Sequence, residues 1–217
     1  MNYLVSWSGG KDCCFACYKA ISQGAKITQL VNLRFKGSSH TVTKNLLRFQ
    51  ADTIGIPIMQ RETLWENYER DFKETVHPLV SKDVHGIVFG DLFCEEFQEQ
   101  KHKEWAERVC GELGIQAIEP LWGMKPDQVF REFLAAGFEA IIISVKADLI
   151  GEEWLGQKMD TPFLEYLVDK KLNVCGELGE YHTLVVNGPL FRKKIIIQES
   201  RHVRSGNYDQ LEILQFA

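Results

Sequence analysis

The sequence predicts an α/β protein: a parallel sheet with helices on both faces, followed by a smaller C-terminal α/β portion. Three observations carry this. Short apolar runs alternate with segments of helical periodicity through residues 1–122, the pattern of repeated strand–helix crossovers. Glycines close several helical segments, at Gly24, Gly55 and Gly137, where a chain leaves a helix. After Trp122 the apolar runs arrive closer together, as antiparallel strands do. Residues 1–122 are therefore expected to form a Rossmann-like domain and residues 123–217 a second, smaller one.

The elements follow in order. "YLVSW" (residues 3–7) is the first strand, and a helix runs from about Lys11 towards Gly24. "KITQLVNLRF" contains the second strand, and "KGSSHTV" (residues 36–42) reads as a loop. "TKNLLRFQADTIG" places Leu46, Leu47, Gln50 and Ile54 at helical spacing. "IPIM" is short and extended; residues 64–82 are helical with an interruption at Pro78. "HGIVFGD" is an apolar strand ending at Gly90-Asp91. "EQKHKEWAERVCGELG" sets Trp105, Val109 and Leu113 on one helical face, and "IQAIEPLW" supplies another strand. In the second half, "KPDQVFREFLAAG" is a helix with an early proline. "FEAIIISV" is a strand, and "TPFLEYLVDKKL" a helix capped by Thr161. "HTLVV", "KKIIIQ" and "LEILQF" are strands.

Composition narrows the class. The chain has 217 residues, 45% apolar and 25% charged, enough to build a packed core. A net charge of −5 argues against an extended nucleic-acid face. No run approaches the ~18 apolar residues of a membrane span, and the N-terminus lacks a basic segment followed by an apolar signal core. A cytoplasmic protein is expected, with self-association as a homo-oligomer left open. Among six cysteines, Cys14 and Cys17 form a C-x-x-C with no second pair to complete a zinc site. They are read as small apolar residues packed on a helical face with Tyr18 and Ile21.

Two stretches carry chemistry. Ser8-Gly9-Gly10-Lys11-Asp12 joins the first strand to the first helix. Two glycines there allow a tight turn that exposes backbone N–H groups, and the helix dipole favours negative charge. Lys11 adds a positive charge, and Asp12 suits a magnesium ion or a helix cap. The stretch is an anion site, most simply for phosphate. Neither G-x-x-x-x-G-K-[ST] nor G-x-G-x-x-G occurs. Gly90-Asp91 falls at a strand end, where open α/β sheets place ligand contacts. The second stretch, "CGELGEYHTLVVNGPLF" (residues 175–191), sets Glu177 and Glu180 among glycines before a strand, with His182 two residues on. Such carboxylates could coordinate magnesium, orient an amine or act as a base.

The Ser8–Asp12 order resembles the SGGxDS loop of the ATP pyrophosphatase superfamily, with Cys13 where the last serine stands. "GELGEYHT…GPLF" resembles the signature of the diphthine–ammonia ligase family, as do "GFEAIIISVKAD", "EEWLGQKMD" and "SSHTVTKNLLRFQADTIGIPI". "IVFGDL" resembles that family's GD-containing strand end, and the likeness runs from about residue 3 to about 200. Leu178 stands where a glycine is frequent and Gln157 where arginine is frequent. The resemblance implies an adenine nucleotide alpha hydrolase-like fold and an AMP-forming ligase that uses ATP, Mg2+ and ammonium. It implies diphthine on elongation factor two as acceptor. For binding ATP it implies Ser8, Gly9, Gly10, Lys11, Asp12, Cys13, His40, Gly90 and Asp91, with Asp12 towards the metal. For the chemistry it implies Lys11, Asp12, Glu177, Glu180 and His182. The two regions account for the length seen, so free ammonium, or an amine supplied by the substrate, is the expected nitrogen source. Three alternatives stay open: the same chemistry on another acceptor, thiolation of transfer RNA, and nucleotide binding without turnover.

Overall fold

The computed structural model describes residues 1–35, 42–92 and 100–217. Along the chain run β1 (Asn2–Ser6), α1 (Lys11–Ser22), β2 (Lys26–Phe35), α2 (Lys44–Ile54), β3 (Ile58–Thr63), α3 (Tyr68–Val76), β4 (Val84–Val88), α4 (Gln100–Glu112) and β5 (Gln116–Ile118). Then follow α5 (Pro126–Ala135), β6 (Glu139–Lys146), α6 (Thr161–Asp169), β7 (Tyr181–Asn187), β8 (Ile197–Ser205) and β9 (Tyr208–Phe216). The strands form two sheets, β3-β2-β1-β4-β5 and β7-β6-β9-β8. The first is parallel and the second antiparallel. This is the Rossmann-like α/β architecture expected, with its smaller antiparallel part.

The chain forms two compact units. One comprises Met1–Ser8 and the described parts of Asp12–Ser38 and Gly55–Trp122; the other comprises Gly9–Lys11, the described part of Ser39–Ile54, and Gly123–Ala217.

In the first unit the parallel sheet is buried on both faces. Leu4, Val31 and Ile87 share one face by register and join Phe72 and Val76 of α3 and Val109 and Cys110 of α4 in a core. Val5, Leu30 and Val88 point the other way and are also fully buried. Two-sided burial is why these strands read as unbroken apolar runs. The expected helix over 64–82 is a 3-10 turn at Trp65–Asn67, then α3, then a second 3-10 turn at His77–Leu79. Pro78 in that last turn accounts for the interruption. β5 is three residues long, shorter than the apolar run that contains it, because the chain turns at Glu119 and Trp122.

In the second unit the cap of α6 is Asp160, whose carboxylate accepts from the Phe163 N–H at 3.3 Å. This corrects the assignment to Thr161, which is the first helical residue, with Pro162 behind it. Lys193–Ile196 is not strand, and β8 occupies Ile197–Ser205 instead. Lys194 reaches Glu139 at 2.7 Å, and Lys193 lies over the Phe49 ring. Trp154 packs on Phe163 and Tyr166 of α6.

Candidate active site

The parallel sheet reverses its strand order between β1 and β4. Open α/β sheets bind ligands beyond the carboxyl ends of strands at such a switch point. The chain leaves β1 towards Ser8 and leaves β4 towards Gly90 and Asp91, so residues singled out in the sequence leave the two strands that flank the switch.

Gly90 is required by proximity. A Cβ there would stand 2.7 Å from both the Asp12 carbonyl carbon and the Cys13 nitrogen, so the strand end passes directly against the first turn of α1. Asp12, in that turn, places a carboxylate where the helix dipole favours it. Cys13 is buried, and its sulfur accepts from the Ser8 hydroxyl at 3.4 Å. The Asp91 carboxylate stands 3.1 Å from His102 Nδ1, which ties the segment that follows β4 to α4.

Gly9, Gly10 and Lys11 belong to the unit built around the antiparallel sheet. Gly9 has φ +83, and a Cβ would fall 2.6 Å from Leu47 Cδ2, so only glycine fits on both counts. Its carbonyl accepts from the Val185 N–H at 3.0 Å and from the Gln50 side-chain amide at 3.0 Å. The Lys11 N–H donates to the Thr183 hydroxyl at 3.1 Å. Lys11 is buried: its ammonium donates to the Cys175 carbonyl and lies 5.4 Å from the centre of the Tyr181 ring. A buried ammonium needs such partners, because desolvating it without them is costly.

The turn before β7 is held from within. Glu180 is 2% exposed. One carboxylate oxygen accepts from the Asn173 N–H at 3.0 Å and the other from the Leu178 N–H at 2.9 Å. Tyr181 donates its hydroxyl to the Val174 carbonyl at 2.7 Å and meets Phe163 edge to face. Glu177 is half-buried on the same turn, and His182 is exposed, its ring 6.4 Å from Tyr208. Thus Lys11 meets the residues around Glu180 directly. The sequence reading missed three of the groups that make this junction: Gln50, Thr183 and the Cys175 carbonyl. Gln50 had a visible signal, as a polar residue on the apolar stripe of α2. His40 lies outside the described residues.

Cys14 and Cys17 are fully buried. Burial pushes both thiols up, Cys17 to about 12, so both stay protonated and pack as apolar groups. Ile21 does not share this environment, being 38% exposed near the end of α1. Among the described residues no group of three or more His, Cys, Asp or Glu could hold a metal ion. None of the described helices is long and apolar enough to cross a membrane.

The comparisons cover nearly the whole chain. Residues 1–117 match the family model described as diphthamide synthase N-terminal domain, and residues 125–215 the one described as diphthamide synthase C-terminal domain. Among curated relatives, Diphthine--ammonia ligase of Homo sapiens is 30% identical over 94% of this chain and 85% of its own length. The protein of that name from Rattus norvegicus is 29% identical with the same coverage. The one from Schizosaccharomyces pombe is 25% identical over 94% of this chain but 37% of its own length. A solved structure titled as a predicted subunit of tRNA methyltransferase from Methanocaldococcus jannaschii DSM superposes with a TM-score of 0.50. It is 16% identical and covers 87% of this chain and 98% of that one, a likeness of fold alone. The paired family models and these relatives lead to one conclusion: the chain belongs to the diphthamide synthase family.

Proposed function

We propose that this chain is an ATP-dependent ligase that joins ammonia to a carboxylate, its acceptor being diphthine on elongation factor two. What carries the reading is the match along both halves of the chain to relatives named Diphthine--ammonia ligase. The Ser8–Asp12 stretch supports it, with the positive φ at Gly9 and the cation of Lys11.

In this reading ATP is held by the backbone of Ser8, Gly9 and Gly10, by the start of α1 with Cys13, and by His40, Gly90 and Asp91. An oxygen of the acceptor carboxylate attacks the α-phosphorus of ATP. The bond to the bridging oxygen of the β-phosphate breaks, and pyrophosphate leaves with its charge. Ammonia then attacks the acyl carbon of the mixed anhydride; AMP departs and the nitrogen loses a proton. Lys11 leaves the Cys175 carbonyl to meet the phosphates, where a fixed cation stabilises developing negative charge. Glu177, half-buried, is the carboxylate that receives ammonium and takes its proton. Glu180 acts by holding the turn, since both of its oxygens already accept backbone N–H groups. His182, exposed at the start of β7, faces the acceptor.

The described residues fit magnesium that arrives with the nucleotide better than a resident ion. They lack a three-ligand group, and magnesium is commonly held by one or two carboxylates together with substrate phosphates. Asp12 is the carboxylate for that role. The ion neutralises phosphate charge when bound.

The test is a reaction with ATP, isotopically labelled ammonium and elongation factor two bearing diphthine. AMP, pyrophosphate and labelled amide should form in equal amounts. AMP formed only when another acceptor is supplied would retain the chemistry and remove diphthine. No AMP under any condition would remove the ligase reading. The cytoplasm, where elongation factor two works, is the proposed compartment.

A further inference from the structure

Gln50 lies within the apolar stripe of α2, beside Leu46 and Leu47, and is completely buried. A buried primary amide needs partners. Its nitrogen lies 3.0 Å from the Gly9 carbonyl and 2.8 Å from the Val185 carbonyl. Both partners are acceptors, so the NH2 group must face them. The Gly9 carbonyl accepts in addition from the Val185 N–H. One carbonyl of the glycine pair is thus gripped by two donors, from α2 and from β7.

That grip has a geometric consequence. The chain has no cis peptide among its described residues, and in a trans peptide the carbonyl and the next N–H point to opposite sides. With the Gly9 carbonyl turned towards Gln50 and β7, the Gly10 N–H is turned away from them. The next N–H, that of Lys11, is turned back to Thr183. The amides of the loop are therefore sorted, with the Lys11 N–H towards Thr183 and the Gly10 N–H on the side away from Gln50 and β7. An anion site made of backbone N–H groups works to the extent that those groups are oriented before the ligand arrives.

We infer that Gln50 is the positioning residue of the nucleotide loop, locking the Gly9–Gly10 peptide so that the Gly10 N–H is presented to the phosphates of ATP. This rests on the reading of Gly9–Lys11 as the phosphate-binding stretch. Gln50 touches no nucleotide itself and acts through Gly9.

The test uses the full chain, a non-hydrolysable ATP analogue in a calorimeter, steady-state kinetics and a thermal melt. Gln50→Met keeps the reach and loses the donors. Its Kd for the analogue should rise about tenfold or more, roughly the effect of one well-placed hydrogen bond, while its KM for ammonium stays at the wild-type value. Gln50→Glu adds a readout that packing alone would not move. At about pH 8 its carboxylate opposes two carbonyls and binding should be weak. Towards about pH 6 the acid, raised by burial, protonates and regains a donor. Its Kd should fall over that range while the wild-type value changes little. Gln50→Met binding the analogue within about twofold of wild type would overturn the inference. A folded Gln50→Glu with no pH dependence would do the same, as would failure of both variants to fold at any pH. If wild-type protein itself does not bind the analogue, the phosphate-loop reading fails instead, and the two failures are distinct.

Discussion

The ammonium of Lys11 donates to the backbone carbonyl of Cys175, 164 residues further along the chain. That contact ties the glycine stretch to the turn that carries Glu177 and Glu180. Removing the cation leaves a buried carbonyl without its donor. Lys11→Met should therefore lose about 1–3 kcal/mol of stability and weaken ATP binding as well. Denaturant unfolding and calorimetry on the same preparation read the two effects. Stability and affinity both unchanged would show that the contact is incidental.

Gly9→Ala should be far more damaging than an alanine at another left-handed glycine. Gly24 has φ +93 with nothing within 4 Å of the place a Cβ would take, whereas at Gly9 the added carbon overlaps Leu47 and Gln50. Both variants carry the backbone cost of about 1–2 kcal/mol. Only Gly9→Ala adds the overlap and should lose ATP binding. Equal unfolding midpoints and equal ATP affinities for the pair would contradict the role given to Gly9.

Glu180→Gln exchanges one accepting oxygen for an NH2 group that faces a backbone N–H. A loss of about 1–3 kcal/mol is expected for the unsatisfied donors. Amide formation should fall while the ATP Kd stays near the wild-type value, because the altered turn is the one proposed to serve the acceptor. A variant with full turnover would remove Glu180 from the site.

The buried thiols give a pH prediction. Burial raises Cys17 to about 12 in the folded protein, against 9.0 ordinarily. A folded-state value above the unfolded one means the stabilising effect is complete below about pH 9. It is lost as pH rises from there towards 12. Wild-type protein should lose stability across that window, and Cys17→Ala should lose less, although its packing makes it weaker near neutrality. Parallel alkaline curves for the two proteins would contradict the assignment.

Much of the fold was legible because two-sided burial writes apolar runs directly into β1, β2 and β4, and because glycines mark helix ends. β8 was not legible. It is an edge strand with mostly exposed residues, so it lacks both the apolar run and the alternation that identify a strand. Asp160 and Thr161 are both capping types, and periodicity alone does not separate neighbours. At the site, the strand–Gly-Gly–helix order pointed to Ser8–Asp12, and the cluster of carboxylates pointed to Glu177 and Glu180. The inward turn of Lys11 was hidden because its partners, Cys175 and Thr183, are 164 and 172 residues away. Such contacts depend on tertiary structure and leave no local pattern.

The central claim is that an acceptor carboxylate is adenylated before ammonia displaces AMP. The most direct measurement follows heavy oxygen placed in both positions of the carboxylate of diphthine on elongation factor two, with ATP and ammonium supplied. The oxygen that attacks phosphorus leaves with the nucleotide, so one labelled oxygen should appear in AMP for each amide formed. Amide formed with unlabelled AMP, or with ADP and labelled phosphate, would contradict the claim.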